Sequence, residues 1–203
     1  QANFFRLKKM IENVDDYKAF IVVSTSSVVL PNLTFYAAAK LAGESLARAW
    51  AQTYDKPLVV VRPFSVTGVR EQEEHLIPKL IRSCLYGEEM PFVADPVHDF
   101  VDVEDVVSAL LILAKNAHRH KGEVFEVGGG KQYTNEEIKG MVEMITGKKA
   151  KVRKVENLRS YDTSRWISHP DKMWNLGWRP QKSITQTIKE MVDYERENTR
   201  NQL

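Results

Sequence analysis

The sequence lacks several features that would mark a specialised class of protein. Its single cysteine, Cys84, excludes an internal disulfide and fits a reducing compartment, so a cytoplasmic location is expected. No apolar run approaches the roughly 18–20 residues that span a bilayer, and no signal peptide is recognisable, so no membrane association is expected. The 29 basic and 27 acidic residues nearly cancel, which gives no electrostatic reason to expect nucleic-acid binding.

What is present is typical of an ordinary globular protein. The 203 residues, 43% apolar and 28% charged, suffice for one large domain or one domain with a small appendage. The basic run 148–154 is interpreted as a solvated connector or an edge strand. His118 and His120 lie beside basic residues without a ligand pattern, so no metal site is expected. We assign packing roles to Cys84, Trp166, Trp174 and Trp178.

The first third of the chain alternates helix and strand patterns. Phe4, Leu7, Ile11 and Val14 have the spacing of the buried side of a helix. The apolar run that begins at residue 19 predicts a strand buried on both faces, and 57–64 predicts another, which together indicate a parallel sheet. Between them, 35–54 is predicted as a helix with a stripe of small residues that permits close helix packing: Ala38, Leu41, Ala42, Ser45, Leu46 and Ala49.

The remaining elements are marked by their termini. Helices are predicted at 76–86 and from about 102, where Asp102 is the expected N-cap residue. The segment 122–130 predicts a third buried strand, with its three terminal glycines forming a turn that fits no phosphate-binding fingerprint. Thr134 with Glu137, and Ser183 with Gln186, have the spacing of capping boxes that open two further helices.

Tyr36 and Lys40 are the principal candidates for chemistry. Four residues apart on a helix, their side chains lie on one face, directly after a strand that ends in the hydroxyl residues 24–27. Ligands of parallel sheets bind at the carboxyl ends of the strands. An ammonium group beside a phenol favours the phenolate, so the pattern predicts a general acid/base site, in which the Ser26 hydroxyl aligns a substrate oxygen while a cofactor moves a hydride. The alternative is a half-buried packing role for Tyr36.

Seven segments resemble, in order, those of a known family. The extended short-chain dehydrogenases/reductases, specifically the NAD-dependent epimerase/dehydratase group acting on nucleotide sugars, carry segments similar to FIVVSTSS, FYAAAKLAGE, VVVRPFSVTG, HLIPKLIRSCLYGEEMPFV, HDFVDVEDVVSALLILA, FEVGGGKQYTNEEIKGMVEMITG and NLGWRP. The resemblance covers nearly the whole chain. It implies an α/β fold with a doubly wound, Rossmann-like parallel sheet, incomplete here, and a small C-terminal α/β substrate-binding part.

The resemblance also implies roles for individual residues. Tyr36 would be the general acid/base, Lys40 would hold the nicotinamide ribose, and Ser26 would orient the substrate oxygen, with Thr25 and Ser27 as weaker candidates. The cofactor would be NAD, with NADP not excluded, and a homodimer would form through the Tyr36 helix. The implied cofactor-binding residues are Ser24, Tyr36, Lys40, Pro63 and Ser65. The implied substrate-binding residues are Ser26, Ser27, Ser65, His98 and Arg159.

Several positions depart from the family pattern. Ser26 and Tyr36 are only ten residues apart, so the loop that usually covers the substrate is trimmed and a more open pocket is expected. Ser65 and Thr67 replace the usual Asn and Tyr. His98 replaces an arginine that typically contacts the nucleotide phosphates, whereas Arg159 matches the family's other phosphate-binding arginine. The loss of one arginine weakens the nucleotide-sugar assignment but not the fold assignment.

The family's glycine-rich pyrophosphate turn has no counterpart in the sequence. We therefore expect the chain to be the C-terminal two-thirds of an enzyme, beginning within the helix before the catalytic strand. Residues 1–68 would complete the nucleotide-binding domain, and 69–203 would be mostly substrate-binding, with 97–128 returning to the main sheet. Two functions stay open. One is a nucleotide-sugar epimerase or dehydratase, which by its chemistry is an isomerase or an oxidoreductase. The other is a binding or regulatory module without turnover.

Overall fold

The structure, a computed structural model, describes residues 2–14, 16–156 and 164–200. Its helices are α1 Ala2–Asn13, α2 Phe35–Thr53, α3 Leu76–Tyr86, α4 Val103–Asn116, α5 Asn135–Thr146, α6 Asp171–Asn175 and α7 Ile184–Arg200. Its strands are β1 Phe20–Val23, β2 Leu58–Pro63, β3 Ser65–Thr67, β4 Met90–Phe92, β5 Val97–Asp102, β6 Val124–Val127, β7 Gln132–Thr134 and β8 Val152–Lys154.

The main sheet is parallel, with β2 between β1 and β6. Residues 58–61 of β2 have no solvent exposure, as expected for a central strand covered on both faces. Alternate side chains explain this burial. Leu58 and Val60 join a cluster with residues of α1 and α2, whereas Val59 and Val61 join a cluster with residues of α4. Helices therefore cover both faces, and the predicted doubly wound α/β architecture is confirmed.

Two smaller sheets lie beside the main one. In the first, β5 pairs in parallel with β3 and antiparallel with β7. In the second, β4 pairs with β8, so the basic run 148–154 ends in a strand as expected. A third apolar cluster joins these elements to α3, α5 and α7, and it contains four buried residues of α7: Ile184, Ile188, Met191 and Val192. The division of the chain into two domains stays a prediction.

The helix-terminus predictions are confirmed. The Asp102 side chain caps α4 by accepting a hydrogen bond from the Glu104 N–H at 2.8 Å. At α5, Thr134 and Glu137 form both bonds of a capping box. At α7, the Ser183 N–H donates to the Gln186 side chain at 2.8 Å, and the Gln186 N–H donates back to the Ser183 hydroxyl at 3.3 Å. Short-range sequence signals therefore locate these helix starts correctly.

Two expectations about burial are wrong. Val23 is 47% exposed, because it ends β1, which is the outer strand of the described sheet and has no neighbouring strand on one side. Val14 lies beyond the end of α1 and is 40% exposed. The stripe of small residues on α2 is exposed or half-buried within this chain. The buried residues of α2 are instead Ala37, Gly43, Glu44, Ala47 and Ala51.

The expected packing roles agree with the structure. Cys84 is buried in the third cluster, and burial raises the pKa of its thiol. Trp178 is 2% exposed, and its indole N–H donates to the Ser108 hydroxyl at 2.9 Å. Among the described residues no group of three or more His, Cys, Asp or Glu side chains could hold a metal ion. In that same part of the chain, no helix combines the length and apolarity needed to cross a membrane.

Candidate functional site

The candidate residues lie together at the carboxyl ends of β1 and β2 in the main sheet. The Ser24 N–H continues the ladder by donating to the Val61 carbonyl at 2.7 Å. Pro63 ends β2, opposite Val127 of β6 in the strand register. Residues 26–29 then form a 3-10 turn that packs against α2. The hydroxyl run therefore lies where ligands of parallel sheets bind.

The Tyr36 and Lys40 side chains meet at the start of α2. Thr34 caps the helix, with its side chain accepting from the Ala37 N–H at 3.1 Å. The Lys40 ammonium lies 5.9 Å from the centre of the Tyr36 ring and donates to the Val23 carbonyl at 2.9 Å. Tyr36 is 54% exposed. The phenol is therefore accessible, with a cation beside it that the end of β1 holds in place.

The hydroxyl residues have different surroundings. The Thr25 hydroxyl accepts from the Ser27 N–H and donates to the Ser27 hydroxyl, both at 3.2 Å, so these two side chains stabilise the local turn. Ser26 is 2% exposed at the start of the turn that contacts α2. The Ser24 hydroxyl is buried and has no hydrogen-bond partner in the described part of the chain. An unpaired buried hydroxyl is costly unless something else bonds to it.

A cavity of about 260 Å³ lies along β1, between α1 and α2. We call it the edge cavity. Its lining includes Leu7, Met10, Ser24, Lys40 and Gly43. The structure therefore brings together two of the predicted cofactor-binding residues, Ser24 and Lys40. Ser26 does not line this cavity.

A second cavity of about 590 Å³ contains two of the predicted substrate-binding residues. We call it the His98 cavity. The Ser65 hydroxyl lies 3.3 Å from Nδ1 of His98, and both residues line it. The His98 ring lies against Phe100 and Trp166, with ring centres 5.5 and 5.2 Å away. Ser26 and Ser27 do not line this cavity. Arg159 lies outside the described residues.

The Asp99 carboxylate fixes the glycine turn behind the His98 cavity. Asp99 has no solvent exposure, and its two oxygens accept from the N–H groups of Gly129, Gly130 and Ser168 at 2.7 to 3.1 Å. A Cβ atom on Gly129 would lie 2.7 Å from the Phe100 carbonyl oxygen. The glycines therefore permit a close approach between the turn and β5 rather than phosphate binding.

A buried ion pair fixes α2 on the sheet. Glu44 is 1% exposed, and Arg62 of β2 donates to its two oxygens at 3.0 and 2.6 Å. Such two-point contacts define orientation as well as distance. Arg62 also lies 3.9 Å from Glu126 of β6, whose other oxygen accepts from the His169 N–H at 2.8 Å. The helix that carries Tyr36 and Lys40 is thereby joined to two strands of the main sheet.

A hydrogen-bonded chain lies at the other side of the His98 cavity. The Thr67 hydroxyl donates to one oxygen of Glu71 at 2.6 Å, and Nδ1 of His75 lies 2.9 Å from the other. Thr67 is buried, whereas the His75 side chain is 54% exposed. Glu71 and His75 both line the cavity. A second imidazole is therefore held in place there.

Sequence reasoning missed Asp99, the Glu44–Arg62 pair and the Glu71–His75 pair. Only the last pair is close in sequence, with its two residues four positions apart in the loop before α3. Asp99 stands 30 positions from Gly129, and Glu44 stands 18 from Arg62. Such partners become apparent only once strand order and helix rotation are known.

Relatives and solved structures agree with this architecture. The chain is 30% identical over 162 residues to the low-salt glycan biosynthesis protein Agl12 of Haloferax volcanii. It is 31% identical over 166 residues to dTDP-glucose 4,6-dehydratase of an Actinoplanes species. These matches cover 78% and 80% of the chain but 51% of each relative, so the chain spans about half their length.

The structure superposes on dTDP-glucose 4,6-dehydratase of Bacillus anthracis, solved in complex with NAD, with a TM-score of 0.87. That match covers 98% of this chain and 68% of the other at 24% identity, which shows a shared fold. The sequence model of the NAD dependent epimerase/dehydratase family matches residues 15–128. Because this match spans more than half of the 203 residues, the chain belongs to the NAD dependent epimerase/dehydratase family.

Proposed function

We propose that this chain supplies the acid/base group and the substrate pocket of a nucleotide-sugar epimerase or dehydratase that uses NAD, with NADP not excluded. The observation that carries the proposal is the accessible Tyr36 phenol beside the Lys40 ammonium, at the carboxyl end of a parallel sheet. Relatives named as dTDP-glucose 4,6-dehydratases support the substrate class, as does a UDP-glucose epimerase relative from Bacillus subtilis that is 23% identical.

The residues around the edge cavity suit the nicotinamide end of the cofactor. Lys40 and the unpaired Ser24 hydroxyl line it, and both can bond to ribose or amide groups. We assign Pro63 and Ser65 to the same cofactor, because they lie at the end of β2 and the start of β3. When bound, NAD accepts a hydride from a sugar carbon and later returns it.

Residues of this chain carry out the proton transfer. Tyr36 takes the proton from a sugar hydroxyl, with the Lys40 ammonium 5.9 Å from the centre of its ring. We assign the orientation of the same sugar oxygen to Ser26, with Thr25 and Ser27 as weaker candidates. Ser65, His98 and Arg159 hold the rest of the substrate. The Glu44–Arg62 pair keeps α2 in place while the phenol gives up and regains its proton.

We further propose that the rest of the cofactor site is supplied by polypeptide that packs against β1 and α4. The outer edge of β1 has no described partner strand, and Val23 beside it is 47% exposed. Val103, Val107 and Leu111 form an apolar row on α4 and are 40 to 61% exposed. A neighbouring strand and helix would cover both surfaces. The chain alone would then bind NAD weakly or not at all.

The remaining parts of the proposal concern assembly and location. The small residues of α2 that are exposed in this chain would pack against the same helix of a second copy, forming a homodimer. Small side chains permit the close helix contact that such an interface needs. The single buried cysteine fits a cytoplasmic protein.

Tyr36→Phe in the full-length protein tests the mechanism. The change removes one hydroxyl, and turnover of UDP-glucose or dTDP-glucose should fall at least 100-fold, which is the usual contribution of a general acid/base. Tyr54→Phe is the matched control, because Tyr54 follows the same helix and is 56% exposed. Undiminished turnover in the Tyr36 variant, with unchanged thermal stability, would refute the assignment.

The second candidate function is a binding or regulatory module without turnover. The observation that favours it is a formed substrate cavity in which histidine stands at position 98, where the family pattern has a permanently charged arginine. Calorimetry of NAD and UDP-glucose against this chain and the full-length protein separates the two functions. A module would bind both ligands in the longer form yet show no change in nicotinamide absorbance.

A further inference from the structure

The charged side chains around the His98 cavity are mainly acidic. On the described elements surrounding the cavity, they are Glu71, Glu74, Lys79 and Glu156, together with the titratable His75 and His98. Three carboxylates against one ammonium give this lining two net negative charges while both imidazoles are neutral. An anionic ligand would be repelled under those conditions. Protonation of both imidazoles brings the lining to neutrality.

The local contacts reduce the effect of some of these acids. Lys79 lies 3.2 Å from Glu74 and partly neutralises it. Glu71 is held between Thr67 and His75, so its charge lies directly against one imidazole. Histidine is the side-chain type whose unperturbed charge changes between about pH 5 and pH 8.

His98 is placed to contact a ligand through its charge. Its ring lies against Phe100 and Trp166, which restrict its orientation, and its Nδ1 lies 3.3 Å from the Ser65 hydroxyl. On β7, Tyr133 lies opposite His98 in the strand register and is also titratable. The Asp99 carboxylate bonds to the glycine turn on the other side of β5. That carboxylate therefore does not occupy the cavity.

We propose that the His98 cavity binds the diphosphate of its nucleotide ligand together with protons, which His98 and His75 take up. The inference rests on the proposed function and adds a property of the same site: affinity that falls as pH rises. A permanent guanidinium at position 98 keeps its charge across this pH range, so its own contribution to diphosphate binding would not depend on pH. Histidine at this position makes occupancy depend on pH.

The size of the effect follows from linkage. An unperturbed imidazole titrates near pH 6.5, and a phosphate beside it favours the charged form. If binding raises the pKa of one imidazole by about one unit, the dissociation constant increases about sixfold between pH 6 and pH 8. Two participating imidazoles would give a larger change.

Calorimetry of UDP-glucose with the full-length protein tests the inference, because the diphosphate diester stays fully ionised across the pH range. We expect at least about sixfold weaker binding at pH 8 than at pH 6, with net proton uptake when titrations in two buffers of different ionisation enthalpy are compared. In His98→Arg, binding at pH 8 should strengthen and proton uptake should fall. His98→Gln should bind weakly at both pH values. His118→Gln, an exposed histidine elsewhere, should behave like the parent.

The outcomes separate the two proposals. Binding of UDP-glucose with equal affinity at pH 6 and pH 8 and no proton uptake would overturn the inference and leave the proposed function intact. If UDP-glucose binds at neither pH, both the inference and the proposed function are overturned. Uridine, which lacks the diphosphate, should bind weakly and independently of pH. Pronounced pH dependence with uridine would overturn the assignment to the diphosphate. Thermal unfolding of each variant checks that it is folded.

Discussion

Replacing Asp99 with asparagine tests the buried carboxylate that holds the glycine turn. The change keeps the size of the side chain but turns one acceptor oxygen into an NH₂ group. One oxygen accepts from the Gly129 N–H at 2.7 Å, and the other accepts from Gly130 and Ser168. Whichever way the amide is oriented, its NH₂ group faces at least one buried N–H donor.

The magnitude follows from those contacts. A buried donor left without an acceptor costs about 1–3 kcal/mol, and each remaining bond loses the extra strength that a charged acceptor gives. Because such terms are not fully additive, we expect Asp99→Asn to lower the free energy of unfolding by about 3–4 kcal/mol. In a chain of this size, 1 kcal/mol corresponds to about 2–4 °C in melting temperature, so the midpoint should fall by about 6–16 °C.

Thermal and urea denaturation measure this change. Asp95→Asn is the matched control, because Asp95 lies just before the same strand and is exposed. The control should alter stability by no more than about 0.5 kcal/mol. A loss below 1 kcal/mol for Asp99→Asn would show that the carboxylate does not hold the turn as described.

Three further predictions concern stability. Glu44→Gln should cost about 2–3 kcal/mol in urea unfolding, because it leaves the largely buried Arg62 without its charged partner; a neutral effect would contradict this. Gly129→Ala should lower the free energy of unfolding by about 1–3 kcal/mol, because the added Cβ meets a backbone oxygen. Gly140→Ala should raise it by about 0.5–1 kcal/mol, because Gly140 lies in a helix and its added Cβ meets nothing within 4 Å. Equal effects of the two changes would refute the contact at Gly129. Burial alone would raise the pKa of Glu143, but lysine ammonium groups and a backbone N–H lower it overall, so its contribution to stability is present above about pH 4.5 and is lost as pH falls further. Glu143→Gln should therefore flatten the acid limb of the profile of stability against pH. An unchanged acid limb would contradict this.

The elements were predictable because their signals are local. The run 58–61 consists of apolar, mostly β-branched residues, so a buried central strand was the expected structure. The capping pairs at Thr134 and Ser183 each lie within one helical turn, so their spacing in the sequence is their spacing in space. Helices α5 and α7 consequently begin directly after the residues that the sequence marks as their caps.

The site was only partly predictable. Tyr36 and Lys40 share a helix, so their proximity follows from spacing alone. The sequence could not show which side of α2 faces the sheet, because alanines occur on both sides and carry little hydrophobic signal. Nor could it pair Asp99 with Gly129 or Glu44 with Arg62, since those contacts depend on strand order. The edge cavity and the His98 cavity each combine residues of several elements, so their volumes required the fold.

The pairing of β2 with β6 has a consequence for how the chain folds during synthesis. Val60 lies opposite Val124, so 64 positions separate two residues of the same sheet. At about 5–20 residues per second, a ribosome needs about 3–13 s to deliver β6 after β2. During that interval one edge of the most buried strand in the sheet has no neighbour. Such delayed closure exposes a nascent chain to aggregation and to chaperone capture.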